Sequence, residues 1–404
     1  MQELHEQLYT DYYNKKNTVS SEFKIIALEG MKLVTGLRQG WGNRAVEAAW
    51  NAPDHQMLAA MELNIWNFAS SKTEARLAAM SDLIINKEKE GINSFGDFRK
   101  LAAKRIDRFN ADWLKTEYDT AVSVAQNSAA FARAWEQKDE FPFFQYQTVG
   151  DSNVRTSHAA LNGKVFNLKD GAARRLWPPN DYGCRCEMIQ LPSRVQSSSV
   201  TRGKEGIEIL GDVFKRGEWN VNRAESKSVF NQKQRYSRIT ALKSKLENSN
   251  YKTYGMPTIA EISKGKTPLK LDTSITPGNV KELFVPAGKT KGGGRFMGFT
   301  DYLGRKMILK EKAFKDHTTK VKYTKQNRHQ QFGKVGEVLK TPDEVWINPH
   351  EKEFNATYLK YYSDATIVVQ TTLQNEWLTV ETWYQLERNE KSIRKGLEIK
   401  RERS

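Results

Sequence analysis

The chain has 404 residues, and at roughly 150 residues per domain that length predicts two or three domains rather than one module. Lys and Arg number 64 against 48 Asp and Glu, a formal charge of +16 that favours a polyanionic partner. With 38% hydrophobic, 28% charged and 11% aromatic residues, the chain is polar yet too aromatic to be disordered throughout, so folded domains on polar connections are expected.

The opening MQELHEQLYTDYYNKKN lacks both a basic n-region and an apolar h-region, and no run approaches the roughly 18 apolar residues of a membrane helix. A chain neither Sec-exported nor membrane-bound is expected. Residues 20 to about 140 read as helix. Met57, Met61, Ile65 and Phe68, then Leu77, Met80 and Ile84, recur at helical spacing, with Pro53 and Asp54 at the start and Gly91 as a C-cap. Ser94 and Asp97 resemble a capping box ahead of a helix through Phe98, Leu101, Ala102, Ile106, Phe109 and Trp113. One helix from Phe95 to Gln137 would span roughly 65 Å at 1.5 Å per residue, so an elongated helical arm with a break near Asn110 is expected.

After Pro142 the pattern shifts to short strands and turns: FQYQTV, the Asn162-Gly163 turn, KVFNL, and PPNDYG leading into Cys184-Arg185-Cys186. These two cysteines are the only ones, which excludes a disulfide-stapled extracellular fold. A Ser-rich, charged linker follows, with one helix predicted at Val229 to Leu246. From about Val280 a second globular unit begins. Arg295 to Phe299 and Arg305 to Leu309 read as a hairpin, Gly333 to Leu339 as helix, and ATIVVQTTL with EWLTVETWY as paired strands, an α+β order. Its charge is split: 14 bases against four acids from Lys281 to Lys334, but three bases against nine acids from Val335 to Glu387. A basic half suits a phosphate backbone better than uniform solubilising charge would.

Tyr146 to Cys186, YQTVGDSNVRTSHAALNGKVFNLKDGAARRLWPPNDYGCRC, resembles the signature of phage Mu F-like minor head proteins. The resemblance rests on Asp151, Arg155, His158, Gly163, the Pro178-Pro179 pair and the CRC ending, in order, and extends over residues 55 to 190. It implies a protein of the virion, inside the head near the portal, that passes through the bacterial host cytoplasm during assembly. Portal and capsid are the implied partners, with roles in assembly and in DNA packaging or ejection. The residues themselves offer a carboxylate, an imidazole and two thiolates, Asp151, His158, Cys184 and Cys186, which is a tetrahedral set for a structural Zn2+. The alternative pairs Asp151 with Arg155, bonds His158 to a backbone carbonyl and simply buries the thiols.

The run HTTKVKYTKQNRHQQFGKVGEVLKTPDEVWIN, with YLKYYSD, the two strands and RKGLEI, resembles phage-associated nuclease-like domains grouped with barnase, EndoU, colicin E5 and RelE. The expected architecture is multidomain: an elongated α-helical region at 1–140, a small irregular α+β Mu F-like module at 141–192, a linker with partial structure at 193–278, and an α+β nuclease-like domain with an antiparallel sheet at 279–404. Metal-free RNA cleavage needs a group to move the 2′-hydroxyl proton and cations or donors for the phosphorane. His317 is the candidate proton carrier, with Arg328 and Lys310 as phosphate clamps and the Thr382 hydroxyl as a further donor. Lys320, Lys322, Lys325, His329 and Arg394 are the candidate nucleic-acid contacts. No cofactor is expected for catalysis. The competing expectation is a purely structural head protein whose C-terminal domain binds DNA without cutting it. RNA or DNA as the target, and an accompanying immunity protein, stay open.

Overall fold

The computed structural model describes all residues except 1, 43–52, 87–90, 108–112, 195–199, 216, 232, 234–235, 237–247, 277–278, 280–283, 287–294, 319–325, 348–354, 375–376, 388 and 402–404. It divides into two units, one of residues 1–28, 44–63 and 240–404, the other of residues 29–43 and 64–239. Among the described residues no helix is long and apolar enough to cross a membrane.

The helical region comprises α1 (Gln2–Tyr13), α2 (Val19–Trp41), α3 (Pro53–Ile84), α4 (Phe95–Asp107) and α5 (Trp113–Glu136). The long helix predicted from Phe95 is thus two helices, with 108–112 outside the described residues. Ser94 Oγ accepts from the Asp97 amide at 3.1 Å and bonds its carboxylate at 2.8 Å, so the capping pair starts α4. Gly91 is no C-cap. It lies in β2 (Gly91–Ile92), paired antiparallel with β1 (Ile85–Asn86), and the α3 carbonyls of Leu83 and Ile84 are taken instead by the Asn93 side chain and amide.

In the unit of 29–43 and 64–239, α2 lies close against α3 and α5 because it carries glycines at the crossings. A Cβ on Gly30 would sit 2.2 Å from a Trp66 ring carbon, and one on Gly40 would sit 2.2 Å from the Val122 carbonyl oxygen. Buried charges cross the same seams. Arg76 meets Glu29 at 2.6 Å, and Lys72 meets Glu117 at 2.6 Å and Glu29 at 3.6 Å.

The module that follows has a four-stranded sheet in the order β5-β3-β4-β6, where β3 is Phe143–Gln147, β4 Val165–Asn167, β5 Glu187–Leu191 and β6 Val200–Thr201. Phe144, Phe166, Trp177 and Phe131 make its aromatic core, with centroid distances of 5.1–5.6 Å. Trp177 Nε1 donates to the Asn127 carbonyl of α5 at 2.9 Å, so one residue joins module and helix. Two short helices belong to the module, α6 (Thr156–Ala159) and α7 (Gly171–Arg174). The segment predicted as a linker with partial structure includes α8 (Gly203–Leu210), which crowds α7 so closely that a Cβ on Gly203 would meet the Ala173 nitrogen at 2.1 Å. Asp170 locks that contact, accepting from the Ala172 and Gly203 amides at 2.8 and 2.9 Å. Most of the helix predicted at 229–246 lies outside the described residues.

The C-terminal sheet has eight strands in the order β14-β10-β11-β12-β13-β9-β8-β7. They are β7 (Val285–Pro286), β8 (Arg295–Thr300), β9 (Lys306–Lys310), β10 (Glu344–Ile347), β11 (Asn355–Tyr361), β12 (Thr366–Gln374), β13 (Trp377–Gln385) and β14 (Leu397–Arg401). Both predicted hairpins form. The sheet is not wholly antiparallel, however: β13 and β9 run parallel and share a single register pair, Thr379 with Ile308. Leu397–Arg401 pairs with β10 as an edge strand. Helices α9 (Glu311–Thr318), α10 (Arg328–Phe332) and α11 (Val335–Lys340) cover one face, packing Phe314 and Phe332 on Trp383.

Candidate active site and metal cluster

The single pairing between β13 and β9 opens the sheet, and the helices fill the opening. Past Val380 β13 stays paired with β12, but its β9-side edge meets α10 instead of a strand, and the Gln385 amide donates to Gln331 Oε1 at 3.0 Å. On the other side of the strand backbone, Trp383 Nε1 donates to the Arg328 carbonyl at 2.8 Å. These two bonds fix α10 along β13 and hand the Arg328 side chain to the neighbouring face. There its guanidinium donates to Thr382 Oγ1 at 3.1 Å and to Gln326 Oε1 at 2.8 Å, lies over the Tyr384 ring, and approaches His317 Nδ1 at 3.4 Å.

Three candidates from distant parts of the chain therefore converge. His317 comes from the last turn of α9, Arg328 opens α10 and Thr382 sits on β13. His317 is half-buried with its ring 5.7 Å from Trp383, which limits its rotation. A guanidinium only donates, so neutral His317 accepts at Nδ1 and carries its proton on Nε2. Burial raises the Tyr384 hydroxyl above its usual range, against the pull of Arg328, so that ring faces the cation as a neutral surface.

The other candidates fall elsewhere. Lys310 is exposed at the end of β9, and among the described residues no hydrogen bond or ion pair joins it to the three. His329 follows Arg328 on α10, and successive helical positions point about 100° apart; its Nδ1 is buried with no hydrogen-bond partner among the described residues. Lys320, Lys322 and Lys325 lie outside the described residues. Arg394 is a correction. It is fully buried and forked onto Glu344 at 2.7 and 2.8 Å, bonded to Glu390 and to the Pro257 carbonyl, and stacked on Tyr251, so it holds the fold and does not meet nucleic acid. Gln326, Gln331 and Tyr384 were not legible as site residues, because their roles come from how α10 lies on β13.

In the Mu F-like module, His158 on α6 meets both thiols. Its Nδ1 lies 3.7 Å from Cys184 Sγ and 3.5 Å from Cys186 Sγ, with all three side chains buried. Zinc bond lengths of about 2.3 Å to sulfur and 2.0–2.1 Å to nitrogen at tetrahedral angles place such atoms about 3.6 Å apart, so the separations fit a shared ion. Hydrogen bonding from Cys186, then the His158 imidazole, holds the Cys184 thiol well below its usual range, and the Cys184 sulfur in turn raises Cys186. Asp151 is not part of the cluster: Arg185, not Arg155, grips its carboxylate at 2.6 and 2.7 Å. Arg155 instead pairs with Asp181 and the Tyr182 carbonyl.

Two separate segments of the chain match known families. Residues 83–189 match the family described as Phage Mu protein F like protein, and residues 284–400 match that described as phage-Barnase-EndoU-ColicinE5/D-RelE like nuclease2. Among curated proteins, the chain is 40% identical over 78 residues to the Mu-like prophage FluMu F protein of Haemophilus influenzae, covering 19% of each chain. It is 32% identical over 108 residues to the "Putative capsid assembly protein F" of Escherichia phage Mu, covering 26% of this chain and 23% of that one. The chain thus spans about a fifth of the length of the curated relatives it matches. No solved structure matches it.

Proposed function

We propose that this chain works in a phage head, where the Mu F-like part docks with portal and capsid during assembly and DNA packaging or ejection, and that it carries a metal-independent ribonuclease as its C-terminal domain. The virion, inside the head near the portal, is then its place, after assembly in the bacterial host cytoplasm. The observation that carries the nuclease reading is the convergence of His317, Arg328 and Thr382, with 3.4 and 3.1 Å between Arg328 and the other two. A phosphate drawn onto Arg328 and Thr382 competes for the guanidinium and frees His317 Nδ1. That lone pair takes the 2′-hydroxyl proton, the 2′-oxygen attacks phosphorus, and the 5′-oxygen leaves with a proton from water. Arg328 and the Thr382 hydroxyl donate to the charge on the phosphorane.

Cleavage of total tRNA in EDTA by the full chain tests this, with His317→Ala as the comparison and binding followed separately. Wild type cuts and the variant does not. Binding without cleavage by wild type supports the alternative of a structural DNA-binding head protein. For the module, we propose that His158, Cys184 and Cys186 would hold a Zn2+ that contributes to its folding. Elemental analysis yields one zinc per chain, and chelation lowers the melting temperature of wild type but not of Cys184→Ser.

A further inference from the structure

Beside the His317, Arg328 and Thr382 cluster, the same sheet holds a cavity of about 340 Å³ that the reaction above does not use. Its position follows from register. Trp346 on β10 faces Thr357 on β11, Thr357 faces Gln370 on β12, and Gln370 faces Thr382 on β13. Directly opposed residues share a face, so these four form one row. The first three line the cavity and the fourth bonds Arg328. One strand spacing, about 4.8 Å, separates Gln370 from the phosphate-binding hydroxyl.

A β-bulge shapes the cavity. Gln370 pairs with Thr382 but Thr371 pairs with Val380, so Glu381 is the extra residue, and it joins the lining. Ser392 and Lys395 complete the polar wall, while Trp346 and Ile393 are apolar.

Resting on the ribonuclease reading, we propose that this cavity is the subsite for the nucleobase next to the phosphate on Arg328. An amide that both donates and accepts, a carboxylate that accepts, and two hydroxyls match the mixed edge of a base, and the apolar residues match its ring. The Glu381 carboxylate disfavours a phosphate inside the cavity, and Lys395 at its rim offers one the flanking position. A volume of a few hundred Å³ is the size of small-ligand sites.

The experiment uses the full chain and four free nucleosides, adenosine, guanosine, cytidine and uridine, titrated at millimolar concentration and followed by NMR. At least one nucleoside binds, and Gln370→Ala and Glu381→Ala each weaken it at least tenfold. The base preference of tRNA cleavage relaxes in the same variants. Absence of nucleoside binding to wild type, or binding indifferent to both substitutions, overturns the subsite even if tRNA is cut. Nucleoside binding that responds to the substitutions, in a protein that cuts nothing, upholds the subsite and overturns the ribonuclease reading alone.

Discussion

The C-terminal domain builds two arginine clusters on one sheet, and they differ in what surrounds the cation. Arg394 is closed in by the carboxylates of Glu344 and Glu390 and by the Tyr251 ring. The described hydrogen-bond partners of Arg328 are an amide, an imidazole and a hydroxyl, with the Tyr384 ring beside them. Carboxylates neutralise a guanidinium and tie it into the fold, whereas neutral acceptors orient it. On the proposed ribonuclease reading, the same residue type serves as a clasp in one cluster and as a phosphate donor in the other.

The comparison breaks most sharply on rate. His317→Ala is expected to lose about 10²- to 10⁴-fold in tRNA cleavage, the usual range for one proton-transfer group, with an unchanged melting curve. Full cleavage by the variant would remove His317 from the site. On stability the order reverses. Arg394→Ala leaves the Glu344 carboxylate 1% exposed with its cation gone, still bonded by Trp346 Nε1, and is expected to cost about 3–5 kcal/mol in urea denaturation. Arg328→Ala removes bonds to neutral partners and is expected to cost about 1–3 kcal/mol, while abolishing cleavage. Equal losses of stability in the two variants would mean that Arg328 is a clasp as well.

Sequence patterning carried the elements whose signals are local. The capping pair at Ser94 and Asp97 starts its helix, the alternating strands of residues 366–385 pair as expected, and the Asn162-Gly163 turn places Gly163 at φ +78°. His158 and the CRC thiols were also visible, because 26 and 28 residues of one small module separate them. Asp151 was placed in that set by its residue type, and nothing in the spacing could reveal that Arg185, 34 residues on, would claim it. Arg394 misled for the same reason: a basic residue near a basic terminus looks exposed until β14 is seen to pair with β10 beside Glu344. The parallel contact of β13 with β9, which opens the sheet for Arg328, is a long-range pairing with no local signal.

The smallest expected effect sharpens the comparison in the helical region, where a buried carboxylate is paired and still short of solvation. Glu117 lies against Lys72, yet burial outweighs that cation and raises its pKa from 4.5 to about 7. The folded state therefore holds this proton more tightly than the unfolded chain. Stability from that proton is fully present below pH 4.5 and is lost as pH rises through about 7. Other carboxylates titrate as well, so the quantity to follow is the difference between wild type and Glu117→Gln, measured by urea denaturation from pH 4.5 to 8. Gln keeps the shape and removes the proton equilibrium. The difference is expected to move against wild type with rising pH by on the order of 1–3 kcal/mol, at about 1.4 kcal/mol per tenfold change in proton affinity. A difference that stays flat would mean that Lys72 compensates Glu117 fully, as Glu344 compensates Arg394, and that this charge too is only a clasp.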